Sequence, residues 1–316
     1  MQQPLAVPAS VATTTQPTAQ QMIDALHTAF GEHRARAVHA KGVMARGEFT
    51  PSHDARAITD ATPFLGSGAK PIVVRFSDFT GIPDIPDNSG SANPRGLAIK
   101  IVLPRGRSMD IVAHSFNGFP TATSEEFREL LVAIGTSDAS AAKPTALDQF
   151  LESHPVAKTF LTTQKPAPLS YTTLSYFGVN AFRFGSTRGG EVHVRYRFVP
   201  VGGEAFVQGK ELSPMSNDYL VRELPARLAH GPSTFEWYAQ VAAPGDAIED
   251  PSIAWPETRR LVHLGTIRVT GMVNDPSATD RETMFSPTNV PDGIVPADPM
   301  LLVRRGAYPV SFQHRQ

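Results

Sequence analysis

Apolar and polar residues alternate with a period of two along eight segments of the chain, and this period predicts β-strands. The predicted strands are 42–50, 71–77, 96–103, 108–113, 180–186, 191–199, 234–242 and 264–272. Turns rich in glycine at 104–106 and 187–190 join two pairs of these strands as hairpins. Strands that are connected mostly by turns predict an antiparallel sheet, and closing that sheet into a barrel removes its exposed edges.

Capping-box sequences mark the starts of two helices. Thr18 is followed three residues later by Gln21, and Thr123 is followed by Glu126. We therefore predict helices over 19–31 and from 123 to 135, with further helices over 145–153 and 217–229 and at the C-terminus. Proline-rich stretches at 164–168 and 287–299 predict loops. The pattern gives an α+β chain with a flexible arm over 1–17 and one domain over 18–316.

Composition and charge narrow the function mainly by exclusion. The absence of cysteine excludes disulfides, zinc–thiolate sites, iron–sulfur clusters and a thiol nucleophile. A net charge of −1 gives no basic excess for nucleic acid. The chain has no apolar run of roughly 18 residues, so we predict no membrane span. Its first residues do not form a signal peptide, and we expect a periplasmic location if a leader was removed and a cytoplasmic one otherwise.

The C-terminal segment places a tyrosine between two arginines at helical spacing. Tyr308 follows Arg304 by four residues and precedes Arg315 by seven, so all three share one helix face. A phenol titrates near pH ~10, and a permanently charged guanidinium one turn away would stabilise its phenolate as a metal ligand. Tyrosine is one of the few axial ligands of haem iron. Taken alone, the segment also fits an ordinary helix with a core aromatic residue and solvated arginines.

Four further segments, taken with this one, carry a resemblance to a known family. They are 36–50, 74–77 with 93–100, 255–260, and 285–294. In order and spacing the chain resembles the haem catalase superfamily, and most of all its small branch, the catalase-related haem peroxidases. The resemblance extends over about residues 20–316. It implies a catalase-like closed eight-stranded antiparallel β-barrel with additional α-helices, and haem b (iron protoporphyrin IX) as the cofactor.

The resemblance also implies roles for particular residues. His39 would be the acid–base group above the iron, Ser77 would fix its tautomer, and Tyr308 would be the metal ligand with Arg304 as its partner. Three arginines would hold the haem propionates, and the remaining residues would form the walls of the pocket. The propionate residues are Arg36, Arg75 and Arg315, and the wall residues are Val38, Phe285, Met300 and either Phe116 or Phe119.

One position departs from the pattern of large catalases. They carry an asparagine that helps to hold peroxide, and here Ser115 is expected in its place, with a shorter hydroxyl. We therefore predict a haem-dependent peroxidase that reduces hydrogen peroxide or organic hydroperoxides with a small organic electron donor. Weak catalase activity and a homo-oligomeric assembly are also expected. The alternatives are a true catalase, an isomerase of hydroperoxides similar to allene oxide synthase, and a non-catalytic haem or lipid carrier.

Overall fold

The structure is a computed structural model that describes residues 16–208 and 215–316. Almost all of the predicted flexible arm over 1–17 therefore lies outside the described residues. The described ranges contain seven α-helices and nine strands. In chain order they are α1 Ala19–Phe30, β1 Gly42–Pro51, β2 Lys70–Ser77, β3 Gly96–Val102, β4 Ser108–His114, α2 Ser124–Gly135, α3 Ala146–Ser153, α4 Pro155–Thr162, β5 Tyr176–Ser186, β6 Gly190–Pro200, α5 Tyr219–His230, β7 Ser233–Val241, β8 Leu261–Met272, α6 Pro276–Glu282, β9 Ile294–Pro296 and α7 Met300–His314.

Strands β1 to β8 form a closed antiparallel barrel. Their order is β4-β3-β2-β1-β8-β7-β6-β5, and a pairing between β4 and β5 at His114 and Phe177 closes the circle. The short strand β9 adds to the free side of β5. All eight strands predicted from the alternating pattern are present, so the predicted barrel is confirmed.

Aromatic side chains fill the inside of the barrel. Trp237 is fully buried, with its ring centroid 5.3 Å from that of Phe49 and 5.5 Å from that of Phe198. Phe76 stacks on Tyr171 at 5.7 Å. The interior is thus a packed core, and a large ligand has to bind outside it.

A second, smaller apolar cluster packs three helices against one another. Ile23 and Leu26 of α1, Leu131 of α2, and Val303 and Ala307 of α7 are buried together. Both predicted capping boxes are present, at the starts of α1 and α2. Within the described ranges, no helix is long and apolar enough to cross a membrane.

Three short elements were not predicted. Helices α4 and α6 each have proline at the first helical position, Pro155 and Pro276. Proline is tolerated at that position because the amide hydrogen that it lacks would have no partner inside the helix. Strand β9 lies in a segment predicted to be a loop, and its three residues are too few for an alternating pattern.

Candidate active site

One cavity lies between the outer face of strands β2 to β4 and helices α1 and α7. It encloses about 750 Å³ of empty space, including a part that is open to solvent. The residues that line it are Ile23, Leu26, Arg36, Ala37, Val38, His39, Arg75, Ser77, Gly96, Leu97, Ala98, Val112, Ala113, Met284, Phe285, Ala307, Tyr308, Ser311, Phe312 and Arg315.

The register of three strands builds one wall of this cavity. Arg75 of β2 is paired with Ala98 of β3, which is paired with Val112 of β4. One pleat further along, Ser77 is paired with Gly96. The middle strand therefore places the small residues Gly96 and Ala98 next to Ser77 and Arg75, the polar residues of the neighbouring strand β2.

His39 enters the cavity from the turn before β1. Its backbone has a positive φ of 57°, an uncommon conformation for a residue other than glycine, and its N–H donates to the carbonyl of Phe79 at 2.9 Å. The imidazole Nδ1 lies 3.1 Å from the Ser77 hydroxyl oxygen. If Nδ1 carries the proton and donates it to this hydroxyl, Nε2 is left with a free lone pair. That tautomer is the one a proton acceptor needs.

Gly96 makes this close approach possible. A Cβ atom at that position would lie 2.4 Å from the Ser77 hydroxyl oxygen and 2.7 Å from His39 Nδ1. Any side chain there would displace the pair.

Burial keeps the His39 imidazole neutral. Together with the positive charge of Arg75 and the nearby His114, it lowers the pKa of this group to about 3. At neutral pH the imidazole can therefore accept a proton, which is the state that a general base requires.

A chain of hydrogen bonds holds the phenol of Tyr308. Arg304 donates one bond to the phenol oxygen at 2.6 Å and another to the Asn180 side-chain oxygen at 2.5 Å. The Asn180 amide then donates to Asp298 at 2.7 Å. Asp298 also accepts from the backbone N–H of Met300, in the first turn of α7. The predicted pairing of Arg304 with Tyr308 is present, whereas Asn180 and Asp298 were not foreseen.

Three arginines gather at one rim around a single carboxylate. The side chains of Arg36 and Arg75 each lie 2.6 Å from the same oxygen of Asp280. Arg315 donates to the carbonyl of Thr283 at 2.8 Å, and its Nε is buried with no partner. Three cations and one anion leave a net charge of +2, which matches the two carboxylates of a haem.

The electrostatics of this cluster agree with that count. Burial lowers the pKa of Arg36, and the neighbouring charge of Arg75 lowers it further. Although burial alone would raise it, the guanidinium groups of Arg75 and Arg36 hold the pKa of Asp280 below its usual range. The positive charge of the three arginines is thus only partly balanced by Asp280, and a bound dianion would balance the remainder.

Two of the predicted wall residues line the cavity, and the others do not. Val38 and Phe285 are at the surface of the cavity. Met300 is buried at the start of α7, two turns before Tyr308, and is not a lining residue. The two alternative phenylalanines of the prediction, Phe116 and Phe119, pack on Phe160 instead, with centroid distances of 5.0 and 6.4 Å.

The structure corrects the expected position of Ser115. This residue is buried outside the cavity, where its hydroxyl oxygen accepts a hydrogen bond from the backbone N–H of Arg95 at 2.9 Å. Side chains alternate along a strand, so His114, and not Ser115, shares the face of Val112.

His114 is a polar group beside the cavity that sequence reasoning missed. It pairs with Gly96 in the row that contains Ser77. Its Nε2 is buried without a hydrogen-bond partner, and burial, followed by the charge of Arg304, lowers its pKa to about 3. Because residues i and i+2 of a strand share a face, the position two residues after Val112 in β4 would have identified it.

The residues of the cavity fit a haem. Tyr308, bound by Arg304, offers an oxygen ligand for the iron, and the arginine cluster offers two uncompensated positive charges for the propionates. The lining is otherwise mostly apolar, with Val38 and Phe285 among its contacts for a flat ring.

Comparison with known proteins gives the family. A model of the family described as "Catalase" matches residues 18–316. The chain belongs to the catalase family. It is 35% identical to a "Catalase-related peroxidase" of Mycolicibacterium paratuberculosis, over 94% of this chain and 95% of that protein. A protein of the same name from Synechococcus elongatus is 33% identical, over 94% of this chain and 88% of that protein.

Solved structures confirm the fold. A fungal catalase superposes with a TM-score of 0.79 at 20% identity, over 89% of this chain and 59% of its own. Catalase A from Saccharomyces cerevisiae gives 0.78 at 19% identity, over 89% and 61%. The chain therefore spans about six tenths of the length of these two catalases.

Proposed function

We propose that this protein is a haem-dependent peroxidase that reduces hydrogen peroxide or an organic hydroperoxide with a small organic electron donor. The names of the two relatives at 33–35% identity support this function. The proposed cofactor is haem b, with Tyr308 as the ligand of its iron. A homo-oligomer also remains part of the proposal.

The observation that carries the proposal is the composition of one cavity. It brings together an imidazole held by a hydroxyl, a phenol bound by a guanidinium, and an arginine cluster with a net charge of +2. These are the acid–base group, the metal ligand and the anion site of a haem peroxidase. A simple haem or lipid carrier would have no use for the pair formed by His39 and Ser77.

Residues of the protein would then transfer a proton between the two oxygens of the peroxide. Neutral His39 takes the proton from one peroxide oxygen and gives it to the other, so that the leaving oxygen departs as water or as an alcohol. Ser77 holds the tautomer that makes this transfer possible. The bound haem supplies the electrons, and the organic donor restores them.

Arg304, the hydrogen-bond partner of Tyr308, has a separate role. The guanidinium of Arg304 donates a hydrogen bond to the oxygen of Tyr308 at 2.6 Å and so fixes the position of the proposed ligand atom. Asn180 and Asp298 hold this guanidinium in place. The arginine cluster formed by Arg36, Arg75 and Arg315 would hold the propionates.

Steady-state assays of the haem-loaded protein test the proposed activity. With hydrogen peroxide and a phenolic donor, we expect donor oxidation to exceed oxygen release. Oxygen release near ~10⁷–10⁸ M⁻¹s⁻¹ would instead identify a true catalase. Turnover of an organic hydroperoxide without any donor would identify an isomerase, and no reaction with either peroxide would identify a carrier.

A further inference from the structure

Three potential metal ligands converge at the C-terminal ends of α1 and α7. They are His27, Glu32 and His314, and one ligand atom of each lies within 4.8 Å of the other two. The two imidazoles are stacked, with ring centroids 5.5 Å apart and planes inclined by 28°. His27 is half-buried, while Glu32 and His314 are exposed and free to reorient.

The helices themselves favour a cation at this point. His27 lies in the last turn of α1, and His314 is the last residue of α7. The C-terminal end of a helix carries roughly half a negative charge, because its last carbonyl groups have no partner inside the helix. Two such ends and the Glu32 carboxylate therefore meet around two imidazoles.

We propose that His27, Glu32 and His314 form a binding site for a divalent transition-metal ion such as Zn²⁺. Two imidazole nitrogens and one carboxylate oxygen suit Zn²⁺, which binds these ligands at about 2.0–2.2 Å and completes its coordination with water. Contraction from the present separations needs shifts on the order of 1 Å in each ligand atom. Rotation of the exposed Glu32 and His314 side chains supplies such shifts without movement of the backbone.

The site would connect the two helices that form one side of the cavity. Helix α1 contributes Ile23 and Leu26 to the lining, and α7 contributes Tyr308. A bound ion would fasten these helices at their common end, and it would stabilise the folded protein because the unfolded chain does not bring the three ligands together.

Equilibrium binding of Zn²⁺ to the full-length protein, after treatment with a chelator, tests this proposal directly. We expect one Zn²⁺ ion per chain in addition to the haem iron, and Zn²⁺ should raise the melting temperature of the protein. The His314→Ala variant should bind at least about tenfold more weakly, since even the loss of a group that only orients a metal ligand costs 10–100-fold. Its melting temperature should not respond to Zn²⁺.

Two further variants make the test specific. Glu32→Gln keeps the size of an exposed side chain and should also weaken binding, whereas His53→Ala removes an exposed histidine outside the cluster and should leave affinity unchanged. The proposal is overturned if the wild type binds no Zn²⁺, or if His314→Ala and Glu32→Gln retain its full affinity. None of these results depends on peroxidase activity, so they test this site separately from the proposed function.

Discussion

A methyl group added at Gly96 should disable the reaction with peroxide while the haem stays bound. The Cβ of a Gly96→Ala variant would lie 2.4 Å from the Ser77 hydroxyl oxygen and 2.7 Å from His39 Nδ1. The shorter contact falls about 1 Å below an ordinary van der Waals distance of 3.4 Å. Gly96 is paired with Ser77 of β2 on one side and with His114 of β4 on the other, so its backbone is held from both sides and the side chains of Ser77 and His39 must move.

The size of the effect follows from this displacement. A shift of about 1 Å in a catalytic group can reduce a rate by ~10²-fold. Overpacking in a well-filled region costs ~1–3 kcal/mol of unfolding free energy, which leaves the protein folded. We therefore expect the rate constant for reaction with hydrogen peroxide to fall roughly 100-fold, while haem content per chain stays near that of the wild type.

Stopped-flow absorbance of the haem-loaded proteins measures this rate constant. Gly90→Ala is a matched control, because a Cβ at Gly90 would meet no atom within 4 Å, and it should react at the wild-type rate. A Gly96→Ala protein that reacts as fast as the wild type would show that the pair formed by His39 and Ser77 does not perform the proton transfer.

Further predictions concern three residues, His39, Ser115 and Asn180. Burial and neighbouring positive charge lower the pKa of His39 to about 3, so the rate with peroxide should stay level from pH 8 to 5, where a base with the usual value of 6.5 would lose activity. Because the unfolded chain then binds the extra proton first, unfolding free energy should fall as pH decreases from about 6.5 towards 3, as measured by denaturant titration at each pH. Replacement of Ser115 by Asn should cost ~1–3 kcal/mol of stability through overpacking and should not raise oxygen release in an oxygen-electrode assay. Replacement of Asn180 by Ala removes the hydrogen-bond partner of Oδ2 of the buried Asp298, so thermal or chemical unfolding should show a loss of ~1–3 kcal/mol.

The sequence predicted the barrel well because its signals are local. Alternating side chains identified all eight strands, and the turn at 104–106 indeed has positive φ at Arg105 and Gly106. Each capping box lies within four residues, so the starts of α1 and α2 could be read directly. Helices α4 and α6 were missed because they are only eight and seven residues long and begin with proline.

The site was only partly predictable because its support comes from distant parts of the chain. Asp280 reaches Arg75 across 205 positions, and Asn180 reaches Arg304 across 124. No local spacing connects such residues, and only the closed barrel places them together. The expected position of Ser115 was wrong by one residue, and in a strand one residue is enough to exchange the cavity face for the opposite face.

The central claim is that Tyr308 is the ligand of a haem in this cavity, and the absorption spectrum of a Tyr308→Phe protein tests it most directly. Phenylalanine keeps the ring and removes the oxygen that now lies 2.6 Å from Arg304. We predict that the wild type shows the charge-transfer absorption of a phenolate bound to ferric haem and that the variant loses it. A variant with the same spectrum and the same haem content as the wild type would contradict the assignment.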